Sequence, residues 1–223
     1  MTHDVQGKTD VNINANAMAR ADLCRFLSAC YYEPAEDFAE ERVFDSMLGA
    51  ANAIHPDLAE QARKVGVAFA AQDPQALLVD YTRLFLGPIR ALATPYGSAW
   101  LGRELAQAED PTAAVRELYA QSGFDIGDDF ADLPDHVAVE LEFLYLLLFT
   151  QSEATRSGNA DERAAAQLLQ RKFLDAHLGA WVGNFTAAVK ANAETAFYRE
   201  LADLTERFVR IEAAGQTEMM SNH

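Results

Sequence analysis

Basic residues are scarce in this chain: 18 Lys and Arg stand against 34 Asp and Glu, for a formal charge of −16. Nucleic acid is excluded as a partner, because neutralising phosphates needs clustered Lys and Arg. Neutral or basic partners are expected, although the same acidity also keeps a protein dissolved. Cysteine is scarce too. Cys24 and Cys30 are the only two, and at six-residue spacing within one helix they point to different sides, which suits a reduced compartment better than a disulfide. No apolar run reaches the roughly 20 residues that span a bilayer; the longest, Val137 to Phe149, is broken by Glu140 and Glu142. Met1 to Asn16 lacks the apolar core of an export signal. A cytoplasmic protein with no stable membrane insertion is expected. The glycines are scattered and form no phosphate-binding loop.

Half of the 223 residues are apolar, enough for a substantial core. Nearly all of them recur at helical spacing, with no convincing strand and no internal repeat. Leu23, Phe26, Leu27 and Cys30 share one helical face that must stop before Pro34. Further helices are expected near Phe38 to Leu48, over Leu58 to Phe69, and from Asp73-Pro74 through Tyr81 and Phe85. Asp73 supplies a cap there and Pro74 a first-turn proline, while Gly87-Pro88 ends the helix. The segment 121–135 carries Gly123, Gly127, Pro134 and five aspartates, and reads as an acidic hinge loop. The run from Val137 is apolar nearly all round, as in a central helix. Two more helices follow, one through Trp181 and Phe185 and one through Phe197 to Ile211. The expected architecture is all-α: a flexible polar tail over 1–16, a single-domain helical bundle over 17–212 with its acidic hinge loop at 121–135, and a flexible tail over 213–223.

Enzyme chemistry finds little support. Asp132, His136 and Glu140 form only one ladder at four-residue spacing, whereas a carboxylate-bridged metal site needs a Glu-x-x-His pair from each of two helices. Neither cysteine has a neighbouring histidine, and no serine lies in a nucleophile elbow. No metal, cofactor or catalytic residue is expected. Binding is better supplied. Asp135-His136 after Pro134 can offer a carboxylate to a guanidinium, or can simply cap the following helix. Tyr81, Leu84 and Phe85 have the spacing of an ordinary core face, yet Ile89, Leu92, Pro95, Tyr96 and Trp100 follow at once, and loops seldom carry so many large apolar groups without a partner.

These stretches resemble a known family. Tyr81-Thr82-Arg83-Leu84-Phe85-Leu86-Gly87-Pro88 is similar to the Y/W-x-x-L-F-x-G-P signature of the TorD/DmsD/NarJ maturation chaperones for redox enzymes. Pro95 to Glu104 resembles the P-W-G-S-V-W-L-x-R-E stretch of the DmsD branch, and Asp132 to His136 resembles E-x-P-D-H. His177-Leu178, Trp181 and Phe185, then Phe197 to Leu201, keep the family's order, so the resemblance covers about residues 17 to 212. Ile89, Tyr96 and Asp132 depart from its pattern. The resemblance implies a non-catalytic chaperone that binds the twin-arginine signal peptide of a DMSO or TMAO reductase type molybdoenzyme and assists its maturation before export, as a monomer or dimer. It places the peptide on Tyr81, Leu84, Phe85, Gly87, Pro88, Ile89, Pro95, Tyr96, Asp135 and His136. The alternatives are a small helical nucleotide-binding enzyme or an assembly subunit.

Overall fold

The computed structural model describes residues 3–34, 38, 42–87, 90–101, 111–124 and 133–221. Among them the regular structure is helical: α1 (His3–Ala29), α2 (Val43–Ile54), α3 (Pro56–Ala70), α4 (Pro74–Tyr81), α5 (Pro111–Gln121), α6 (Val137–Ser157), α7 (Ala160–Ala176), α8 (Leu178–Asn192) and α9 (Ala196–Ser221). Helix α1 thus begins inside the segment expected to be the first tail, and α9 runs on into the second; no proline interrupts either. Pro88, Ile89 and most of the acidic hinge, 125–132, lie outside the described residues.

Local chemistry sets the helix ends. His55 caps α3, its Nδ1 accepting from the Asp57 N–H at 3.1 Å ahead of Pro56. Asn159 caps α7 in a two-way exchange with Glu162, whose N–H it accepts at 3.2 Å and whose carboxylate it meets at 3.0 Å. Pro74 opens α4 as expected, but the Asp73 side chain makes no cap hydrogen bond. The cap that matters nearby belongs to Asp80, at the other end of α4. Its buried carboxylate accepts from the Glu194 N–H at 3.0 Å, the Thr195 N–H at 2.7 Å and the Thr195 hydroxyl at 2.8 Å, so one helix end holds the start of α9.

Helix α6 is the hub. Val137, Ala138, Val139, Leu141, Phe143 and Leu144 are all buried, because residues covering every face of its first two turns are apolar. Helices α1 and α7 pack along it, α9 lies against α3 and α8, and α2 pairs with α3. One continuous core joins Leu23, Leu27, Tyr31, Leu84, Phe85, Phe143, Phe173, Trp181, Phe185, Tyr198 and Phe208. Cys24 and Cys30 are buried free thiols; burial alone pushes the Cys30 thiol up to about 12, which leaves it inert.

Candidate peptide-binding site

The helix through Tyr81 does not end as a plain α-helix. Thr82–Leu86 forms a π-turn closed by the Gly87 N–H on the Thr82 carbonyl at 2.6 Å. Gly87 then takes φ 62°, and a Cβ there would collide with the backbone of Arg90 and Ala91, so glycine is required. The chain doubles back, and the Ala93 N–H donates to the Leu84 carbonyl at 2.8 Å. Carbonyls that a helix end would leave unpaired are thereby satisfied.

This geometry sends the signature side chains inward. Tyr81, Leu84 and Phe85 are 8%, 0% and 4% exposed, against the expectation that they line an open surface. Phe85 meets Tyr31, Tyr81, Phe185 and Tyr198 edge-on or tilted at 5.4–6.0 Å. Their three- and four-residue spacing is that of a core face, and the core takes them. The large apolar residue that reaches solvent in the π-turn is Leu86, 60% exposed.

The segment after it supplies the accessible surface. Pro95 to Ser98 lies against the turn before α6. The Val137 N–H donates to the Pro95 carbonyl at 2.8 Å, the Gly97 N–H to the Asp135 carbonyl at 2.8 Å, and the Ser98 N–H to Asp135 Oδ2 at 2.9 Å. Tyr96 and His136 form an isolated antiparallel bridge. Behind the turn stands the Trp181 ring, so close that a Cβ on Gly97 would lie 2.8 Å from its Nε1. Asp135 is therefore a buried anchor for this loop, not an exposed carboxylate. The cap of α6 is His136 instead, whose Nδ1 accepts from the Ala138 N–H at 3.2 Å. Tyr119 of α5 steadies the turn from beneath, donating to the Pro134 carbonyl at 2.8 Å.

Outward from this clamp the aromatic groups become accessible. His136 is sandwiched: Tyr32, from the end of α1, stacks on it at 6.0 Å, and Tyr96 meets it edge-on at 5.2 Å. Both tyrosines are half-buried. Beside them half-buried Glu142 accepts at Oε1 from the Tyr32 hydroxyl at 3.1 Å and from Ser28 Oγ at 3.3 Å. Its Oε2 accepts no hydrogen bond among the described residues. Along the same 90–100 segment, a groove of about 290 Å³ opens between Arg90, Leu92, Thr94, Ala99 and Trp100. Trp100 is fixed there by its Nε1–H on the Thr94 carbonyl at 2.8 Å.

Of the ten residues proposed from sequence, the structure thus brings Pro95, Tyr96, Asp135 and His136 together, leaves Tyr81, Leu84, Phe85 and Gly87 as scaffold, and does not describe Pro88 and Ile89. Tyr32 and Glu142 were missed. The signal for Glu142 was in plain sight, one of two carboxylates that interrupt the apolar run of α6, whereas Tyr32 meets the site only through the fold.

The sequence pattern of the nitrate reductase delta subunit family matches residues 46–187, a stretch that contains the π-turn, the clamp and Trp181. The chain belongs to this family. Among curated relatives, the chaperone protein TorD of Vibrio parahaemolyticus is 28% identical over 138 residues, 62% of this chain and 63% of that protein. The chain's match therefore spans a little under two thirds of that relative. The perchlorate reductase assembly chaperone protein of Dechloromonas aromatica is 32% identical over 136 residues, 58% of each. TorD of Shewanella pealeana is 25% identical over 227 residues, 96% of each chain. A candidate redox enzyme maturation protein from Archaeoglobus fulgidus shares the fold, with a TM-score of 0.52 at 21% identity over 85% of this chain and 93% of that one. The family resemblance carried by the short motifs is borne out, and so is the all-α architecture. No helix among the described residues is long and apolar enough to cross a membrane.

Proposed function

We propose that this protein is a non-catalytic maturation chaperone that holds the leader peptide of a molybdenum-cofactor oxidoreductase in the cytoplasm until the client is assembled. A twin-arginine leader joins two guanidinium groups to an apolar stretch, so its receptor needs aromatic or aliphatic surface next to negative charge. The observation that carries the reading is the Tyr32–His136–Tyr96 stack with the Glu142 carboxylate at its edge. Planar guanidinium stacks on tyrosine faces and pairs with carboxylate. The apolar stretch of the leader follows onto the Leu92 and Trp100 groove. The chain's acidity favours such a ligand at long range.

The relatives named as chaperones and as an assembly protein support the class of function. Affinity should be moderate, because Glu142 is only half sheltered: its pairing is worth about 1 kcal/mol, roughly five-fold in Kd. The test is to purify the chain from its native host and identify the precursor that accompanies it, then titrate that precursor's leader by calorimetry. Tyr96→Ala and Glu142→Gln should each weaken leader binding several-fold while leaving the thermal transition in place. Capture of the precursor that is equally strong after removal of its leader would overturn the reading.

A further inference from the structure

Behind the clamp lies a group of buried ionisable residues that peptide binding does not use. Glu140, in the first turn of α6, is fully buried; its Oε2 accepts from the Trp181 Nε1–H at 3.0 Å. Asp135 and His177 are 2% and 5% exposed. Each holds one polar atom with no hydrogen-bond partner among the described residues: Asp135 Oδ1, Glu140 Oε1 and His177 Nδ1. Buried polar atoms are rarely left so, and three in one neighbourhood mark a place where protonation sets the structure.

The cluster is wired to the candidate site by short links. Asp135 holds the Ser98 N–H, and Glu140 holds the Trp181 ring against which Gly97 is packed. We propose that Glu140, with Asp135 and His177, forms a proton-holding positioning device for the Tyr96–Ser98 turn, which loosens when Glu140 ionises. The charged Glu140 carboxylate is then buried beside Asp135, and the arrangement relaxes by opening to water, which frees the Tyr96–Ser98 turn from the ring packed behind it.

The surroundings fit. Burial, with Asp135 nearby, pushes the Glu140 carboxyl well above its usual range, against the opposing hydrogen bond from Trp181. From α8, burial pulls the His177 imidazole down, so that it brings no fixed cation. From α5, the Tyr119 phenol is pushed up by burial and by Glu140, Asp135 and Glu142, and so stays neutral. Tyr32, just past α1, lies with His136 and Glu142 on the outer side of the clamp. Glu140 is a positioning residue: it touches no ligand and acts through Trp181 and the turn.

This inference rests on the proposed site only for the meaning of the turn's mobility, so the test separates the two. In the full chain, the carbon-13 carboxyl signal that disappears in Glu140→Gln identifies Glu140, and its titration from neutral to about pH 10 gives the pH at which the proton leaves. Amide exchange at Gly97 and Ser98 is measured in the same samples as a wild-type to Glu140→Gln ratio, which cancels the intrinsic effect of pH. The ratio should rise about ten-fold per pH unit as pH climbs toward the titration point of Glu140, because the loosened turn has already given up the proton that the closed one keeps, and level off above it. Gln keeps an acceptor for Trp181, so a purely structural role predicts no such pH dependence. A Glu140 signal already ionised at neutral pH, or an exchange ratio that stays flat all the way up to its titration point, overturns the proposal. Should the variant not fold, wild type decides alone, with the amides of α8 as the exchange reference. A synthetic peptide carrying two adjacent arginines ahead of an apolar stretch is titrated alongside. Exchange that tracks Glu140 without peptide binding retains the proton device and removes the leader reading; peptide binding with flat exchange does the reverse.

Discussion

At the scale of single residues, the clamp depends on an absence of side chain. A methyl group on Gly97 would meet Trp181 at 2.8 Å from Nε1 and 3.1 Å from Cε2, and that indole has nowhere to go, being fully buried and bonded to Glu140. Gly97→Ala should therefore lower stability by about 1–3 kcal/mol, the range for overpacked sites. Denaturant unfolding measures it; an unchanged midpoint would mean that the ring yields freely. The same substitution should also displace Tyr96, its neighbour in the proposed binding face. The glycine itself is plain in the motif Pro95-Tyr96-Gly97-Ser98, but its cause is not, because the colliding ring comes from α8, far along the chain. Tyr81, Leu84 and Phe85 teach the converse. Their spacing already described a core face, and the aromatic residues that follow them were no sign that these three were exposed.

Among the elements, the end of α4 organises more than its length suggests. Asp80 stands immediately before the signature aromatics and gathers the two amides just ahead of α9, while its carboxylate also pairs with Arg83 at 3.0 Å. The π-turn that follows buries Leu84 and Phe85 and starts the return of the chain toward the clamp. Asp80→Ala removes a helix cap and strands buried amides, a loss of at least about 2 kcal/mol. Hydrogen exchange should locate the damage at Glu194, Thr195 and the first turn of α9. A uniform loss of protection across the molecule would contradict a local cap. Apolar periodicity found α1, α2, α3, α4, α6, α8 and α9, since each shows the core an apolar face. It did not find α5 or α7. Helix α5 offers the core little beyond Val115 and Tyr119, and α7 is built largely of Ala, Gln and charged residues with Phe173 and Leu174 at its end. Neither helix turns a wide apolar face inward, so tertiary packing, not pattern, decides them.

Over the whole molecule, the two ends of the fold are tied by a buried polar network. Arg20 of α1 makes a two-pronged ion pair with Glu212 of α9, which also accepts from Gln170 of α7 at 2.9 Å, and Gln170 accepts from Gln151 of α6 at 2.8 Å. Four helices thus share one connected set of hydrogen bonds, and such a set is costly to break at one member. A different buried group contributes to the response to pH. Burial depresses the imidazole of His177 in the folded protein, only partly offset by Asp135, whereas in the unfolded chain it titrates near about 6.5. Between the folded value and that one, the unfolded state binds the extra proton. The contribution of His177 to stability therefore falls as pH drops below about 6.5, by at most about 1.4 kcal/mol per unit, and levels off once the folded imidazole is also charged, while Glu140, which keeps its proton in the folded protein, adds the opposite slope. His177→Gln, which cannot take up the proton, should flatten this limb of the profile while leaving neutral-pH stability within about 1–2 kcal/mol of wild type. Urea midpoints collected between pH 7.5 and 4.5 provide the comparison. A limb of equal steepness in wild type and variant would assign the acid sensitivity to the carboxylate ion pairs instead, among them Glu206 with Lys190, whose carboxyl is held low by that pairing and gives up its contribution only toward the acid end of the range.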